Sequence, residues 1–111
     1  MAFESKDLDA MFEALANQHR RAIVYAVGLQ PCSITRLAEM RDLTLPAIHK
    51  HIKILERSGL VVRRKIGRTN FLTLNAQALQ VLQDWLQQYH TYWGSDTASL
   101  ANYANYLEDK Q

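Results

Sequence analysis

The residues best placed to do chemistry are cations. Lys50, Lys53, Arg57, Arg63, Arg64, Lys65 and Arg68 crowd into residues 44–70 against Glu56 alone, a net of +6. Residues 1–43 hold five basic and six acidic side chains (−1) and residues 71–111 one basic and four acidic (−3), so the whole chain carries only +2. A basic block between acidic flanks is the electrostatic footprint of a nucleic-acid contact surface. The competing reading is a solvated charged face. Other reactive groups are sparse. Cys32 is the one cysteine, so it can neither close a disulfide within the chain nor build a thiolate metal cage. The four histidines, His19, His49, His51 and His90, are scattered among helical positions. No Ser-His-acid triad can be assembled and no Gly-rich phosphate loop occurs, so the chain reads as a non-enzyme without cofactor or metal.

These residues are positioned by elements with legible boundaries. Leu8, Met11, Phe12 and Leu15 fall at i, i+3, i+4 and i+7, which predicts a first helix starting at Leu8. The Asn17-Gln18-His19 stretch interrupts it. A second helix is expected from about Arg20, with Ala22, Ile23, Ala26 and Val27 on one face and Gly28 and Pro31 at its end. Ser33 is an N-cap for a short helix carrying Ile34, Leu37 and Ala38. After Arg41-Asp42-Leu43, Thr44 caps a longer helix that runs to Ser58, with Gly59 at C′. Residues 33–59 therefore have the outline of a helix-turn-helix. Residues 60–74 change to a β period around Gly67 and predict a hairpin. Asn75 then caps a helix from Ala76 to about Trp93. An apolar seam with alternating steps of three and four runs from Leu79 through Leu82, Leu86, Tyr89, Trp93, Leu100 and Tyr103 to Leu107, broken at Asp96. Such a seam suits packing against another helix.

At about 100° per residue, the helix after Thr44 separates into two faces. Ile48, Ile52 and Leu55, with Thr44, face a core; Pro46, His49, Lys50, Lys53 and Arg57 lie opposite. A helix of this kind fits the DNA major groove, its first turns reaching base edges and its later cations reaching phosphates. His49 is the candidate base reader, whereas His51 falls beside the core stripe and reads as a half-buried structural histidine. The hairpin adds Arg63, Arg64, Lys65, Arg68 and Thr69 for backbone or minor-groove contact. The expected DNA-binding set is thus Thr44, Pro46, Ala47, His49, Lys50, Lys53, Arg57, Arg63, Arg64, Lys65, Arg68 and Thr69.

The runs FEALANQHRRAI (12–23), SITRLAE (33–39) and LPAIHKHIKILERSGLV (45–61), with the hairpin from Arg63 to Leu74, resemble the ArsR family of bacterial winged-helix transcriptional regulators. The resemblance covers roughly residues 8–93. It implies an α+β winged helix-turn-helix, mainly α, ordered α1-α2-α3-α4-β-β-α5 with a two-stranded wing, here followed by a C-terminal helical extension. It also implies a homodimer built from the first and last helices, which represses an operon from operator DNA until an inducer releases it. Metal-sensing members carry Cys-x-Cys where this chain has Ser33-Ile34-Thr35, with Cys32 one position early. A second family metal site is likewise incomplete in Asp84-Trp85-Leu86 and His90-Thr91-Tyr92-Trp93.

The expectation is a single domain over 1–111: dimerisation helices at 8–18 and 76–107, a helix-turn-helix at 33–59 and a wing at 60–74. Leu8, Met11, Phe12, Leu15, Leu79, Leu82, Leu86, Tyr89 and Trp93 form the candidate dimer interface. Expected partners are double-stranded operator DNA, a second copy of the chain and an unidentified inducer. Apolar runs too short for a membrane span and the lack of a signal-like N-terminus point to a cytoplasmic protein. The alternative is a winged-helix module that binds protein without specific DNA binding.

Overall fold

The computed structural model describes residues 6–89, 94 and 96–110. Along the chain come α1 (Lys6–Leu15), α2 (Gln18–Leu29), β1 (Cys32–Ser33), α3 (Ile34–Arg41), α4 (Leu45–Arg57), β2 (Val61–Ile66), β3 (Thr69–Leu74), α5 (Ala76–Gln87) and α6 (Asp96–Asp109). This is an α+β winged helix-turn-helix.

Local chemistry sets most boundaries. Ser33 Oγ accepts from Arg36 N (3.2 Å) at the start of α3, and Thr44 Oγ1 accepts from Ala47 N (3.3 Å) at the start of α4. Asn75 Oδ1 likewise accepts from Gln77 N at 3.2 Å and opens α5. Each satisfies a main-chain N–H that the first helical turn leaves without a partner. Gly59, at φ +83°, ends α4 in the left-handed region, and Gly67, at φ +63°, turns the wing.

The structure moves two expected boundaries and adds a strand. The first helix does not extend through residues 16–18, because Asn17 already caps α2, its Oδ1 accepting from Arg20 N at 3.2 Å. The two-stranded wing forms as β2 and β3, and β1 extends it to a three-stranded antiparallel sheet of order β1-β3-β2, in which Cys32 pairs with Leu72 and Ser33 with Phe71. Pro31 forces the preceding Gln30 into extended backbone (φ −168°, ψ 158°), and the chain leaves α2 already strand-like. The helix expected from Ala76 to about Trp93 ends at Gln87, and the C-terminal helical extension is a separate helix, α6, starting at Asp96. Gly94 between them has φ +110°. Trp93, with His90 and Tyr92, lies outside the described residues.

The core centres on α4, which packs on α1, α2, α3 and β2. Ile23, Leu37, Ile48, Ile52, Leu55, Leu60 and Leu72 are its fully buried large side chains. The C-terminal end of α4 is tied down by polar contacts. Ser58 Oγ donates to Leu55 O (2.7 Å) and accepts from Leu60 N (3.3 Å), while Asn75 Nδ2 donates to Gly59 O (2.9 Å). The start of α5 is therefore hydrogen-bonded to the end of α4.

Candidate nucleic-acid interface

Complete burial of Ile48, Ile52 and Leu55 fixes the rotation of α4 and turns Pro46, His49, Lys50, Lys53 and Arg57 to solvent. Thr44, expected on the core side, is exposed because its hydroxyl is used as the N-cap. The β2–β3 hairpin leaves α4 and folds back beside it, with the register Lys65 opposite Asn70 and Ile66 opposite Thr69 at its tip. Arg64, Lys65, Arg68 and Thr69 are exposed there.

Two clefts join helix and wing. One, of about 380 Å³, is lined by Pro46, His49, Lys50, Lys53 and Arg63. The other, of about 220 Å³, is lined by Ile34, Thr35, Leu45, His49, Arg68, Thr69 and Asn70. His49 lies in both, so the candidate base reader sits where the first turns of α4 meet the wing. The junction also contains Leu45, Thr35 and Asn70, which the expected DNA-binding set did not include. Leu45 is 50% exposed at the N-terminus of α4, where an apolar side chain can touch a thymine methyl group. Periodicity alone did not mark it, and its exposure does.

Arg63 differs from its neighbours. Its Nη2 donates to Glu56 Oε1 at 2.9 Å, so the one acid of the basic block pins β2 to α4. The remaining cations present an uncompensated positive face. The arrangement can insert α4 into a major groove and lay the hairpin along the backbone beside it.

The candidate dimer residues divide. Leu8, Met11 and Leu82 are buried in the chain's own core, and Leu15 and Leu79 pack partly against it. Phe12, Leu86 and Tyr89 remain 40%, 57% and 67% exposed. Trp85 joins them in an aromatic row, with ring centroids 4.9 Å from Phe12 and 4.7 Å from Tyr89.

Cys32 is buried and its thiol donates to Gln30 O at 3.4 Å. Burial raises its pKa above the ordinary thiol value, and the Arg36 cation opposes this incompletely. A thiol held protonated is a packing group more than a nucleophile.

An α+β winged helix with a cationic recognition helix defines a DNA-binding regulator. Residues 15–64 match the helix-turn-helix domain family. The chain is 29% identical over 102 residues to the HTH-type transcriptional regulator Rv2034 of Mycobacterium tuberculosis, covering 92% of this chain and 90% of that protein. It is 31% identical to the solved ArsR family transcriptional regulator RHA00566, with TM-score 0.69 over 75% of this chain and 86% of that one. At the level of fold alone it is similar to a homodimeric winged helix-turn-helix domain of Mb0332 from Mycobacterium bovis, 20% identical, with TM-score 0.62 over 81% of this chain and 96% of that one. The chain belongs to the ArsR family of winged helix-turn-helix transcriptional regulators.

Proposed function

We propose that the protein is a cytoplasmic repressor that binds an inverted-repeat operator as a homodimer, reading bases with Leu45, His49 and the first turns of α4. Lys50, Lys53, Arg57, Arg64, Lys65 and Arg68 hold the phosphates. The observation that carries this reading is the continuous cationic surface from α4 to the wing tip, with His49 in both clefts between them. A single recognition helix spans few base pairs, whereas two related by a twofold axis read half-sites about one helical turn apart. The exposed Phe12, Leu86 and Tyr89, with the half-buried Trp85 between them, are the surface proposed for that pairing. The solution homodimer of Mb0332 offers a precedent on the same fold. Repression is the reading adopted, because a dimer lying on an operator that overlaps a promoter excludes polymerase from that duplex.

Selection of bound duplexes from a random pool, followed by light scattering of the free protein, tests the reading. The expected result is an enriched inverted repeat and a mass of two chains. A pool without enrichment, or salt-independent retention, favours a protein-binding module instead. A reporter downstream of the selected site is expected to lose expression when the protein is present.

A further inference from the structure

Four nitrogen-bearing side chains meet where α2, α3 and α4 converge, away from the cationic face. The His19 and His51 rings lie 5.5 Å apart between centroids, tilted by 38°. Arg41 Nε, from α3, donates to His19 Nδ1 at 3.1 Å. Arg20 Nη1, from α2, donates to His51 Nδ1 at 3.3 Å. The same guanidinium grips the end of α1, its Nε donating to Ala14 O at 2.7 Å and its Nη2 to Glu13 O at 3.3 Å. One arginine thus bridges the C-terminus of α1 to the recognition helix.

Guanidinium has donors and no acceptor. Both imidazoles therefore accept at Nδ1, which requires the neutral ring protonated at Nε2. A proton added to His51 Nδ1 removes its hydrogen bond and leaves a cation facing Arg20. α2 supplies Arg20 and α3 supplies Arg41; α1 engages Arg20 through the main-chain carbonyls of Glu13 and Ala14, and its Glu13 side chain lines an open cleft with Ile54 and Arg57 of α4. β2, the remaining element packed on α4, brings Arg63, already paired with Glu56. Among the described residues no carboxylate is ion-paired to either histidine.

We propose that His51 is a proton-operated latch, gripped by Arg20 and backed by the His19 ring, that holds α4 against α1 and α2 while the His51 ring is neutral and loosens it when His51 takes a proton. Burial, then Arg20 and His19, push the pKa of His51 below the ordinary imidazole value. The unfolded chain accordingly takes up that proton first as pH falls. Stability is full above the ordinary imidazole pKa of about 6.5 and is lost below it until the folded-state pKa is passed. The consequence for DNA rests on the proposed function; the latch itself does not.

The test starts with ring NMR of the intact protein. Both histidines are expected as Nε2–H tautomers, with His51 titrating below its value in the urea-unfolded chain. An Nδ1–H tautomer, or titration of His51 at or above the unfolded value, overturns the latch. His51→Gln and His19→Gln each keep an acceptor for arginine that does not titrate. As pH falls from 7.5 to 5.5 the unfolding constant of the wild type should rise more steeply than that of the double variant, by up to about tenfold per pH unit for the one proton on His51. Parallel profiles overturn the proposal. Affinity for a selected duplex at constant salt should fall with pH several-fold more in the wild type than in the double variant. A stability difference without that affinity difference upholds the latch and counts against α4 as the DNA-contacting helix.

Discussion

At the scale of single residues, the surface of α4 separates positioning from discrimination. Lys50 and Lys53 are exposed on the face opposite Ile48 and Ile52. Replacing either with Ala should weaken binding to every duplex and reduce the slope of log affinity against log salt by about 0.9 for each lost phosphate contact. His49→Ala should instead relax the preference at one base pair, by about 1–3 kcal/mol. Anisotropy titrations over a salt series and a panel of single-base variants read both effects. Identical profiles for all three variants count against this face. Gly59 has a purely conformational role, since a Cβ there meets nothing within 4 Å while φ is +83°. Gly59→Ala should therefore cost about 1–2 kcal/mol of backbone strain alone, seen as a melting temperature several degrees lower.

Among elements, the pairing of α1 with α5 determines which apolar residues remain for a second copy. Phe12 and Trp85 meet edge-to-face, and the row continues to Tyr89. Leu82, at 5% exposure, lies beneath it, whereas Leu86, at 57%, lies on top. Substitutions at these neighbouring positions should behave oppositely. Leu86→Glu or Tyr89→Glu is expected to give a folded monomer with weakened operator binding. Leu82→Ala should destabilise the protomer by about 2–5 kcal/mol, as cavity-forming substitutions do. Light scattering and thermal melts on the same samples separate the two. A dimeric Leu86→Glu protein would move the interface elsewhere.

For the whole molecule, the radius of gyration is 19.6 Å, against about 13 Å for a compact chain of this length. The long axis reaches 71 Å, and α6 presents Leu100, Tyr103, Tyr106 and Leu107 at 77%, 44%, 39% and 45% exposure. Among the described residues no group of three or more His, Cys, Asp or Glu side chains converges to hold a metal ion. No helix described is long and apolar enough to cross a membrane. Stoichiometric zinc, cadmium or arsenite should accordingly leave operator affinity within a few-fold. A saturable change of ~100-fold, at the upper end of allosteric coupling, would reveal ligands shared between subunits.

Much of this was legible in the sequence because it depends on short-range rules. The caps at Ser33, Thr44 and Asn75, the stop at Gly59 and the turn at Gly67 each follow from one residue and its next three or four neighbours. The two faces of α4 follow from helical periodicity, so the cationic surface was readable before any fold was known. What tertiary structure decided are pairings between residues far apart in the chain. Cys32 and Ser33 become a strand only because β3 offers an unpaired edge 39 residues or so later. Leu8, Met11 and Leu82 share one apolar pattern with Phe12 and Leu86, and only packing separates those that the fold covers from those it leaves exposed. α5 stops at Gln87 with neither Gly nor Pro to mark it, just after Trp85, the last side chain of that helix packed against the core. The Arg20–His51 and Arg41–His19 contacts span 31 and 22 residues, and no periodicity encodes which arginine will face which imidazole. Backbone hydrogen bonding and helical pitch act locally and leave their signature in the sequence; burial and charge proximity are properties of the assembled chain and had to be seen in three dimensions.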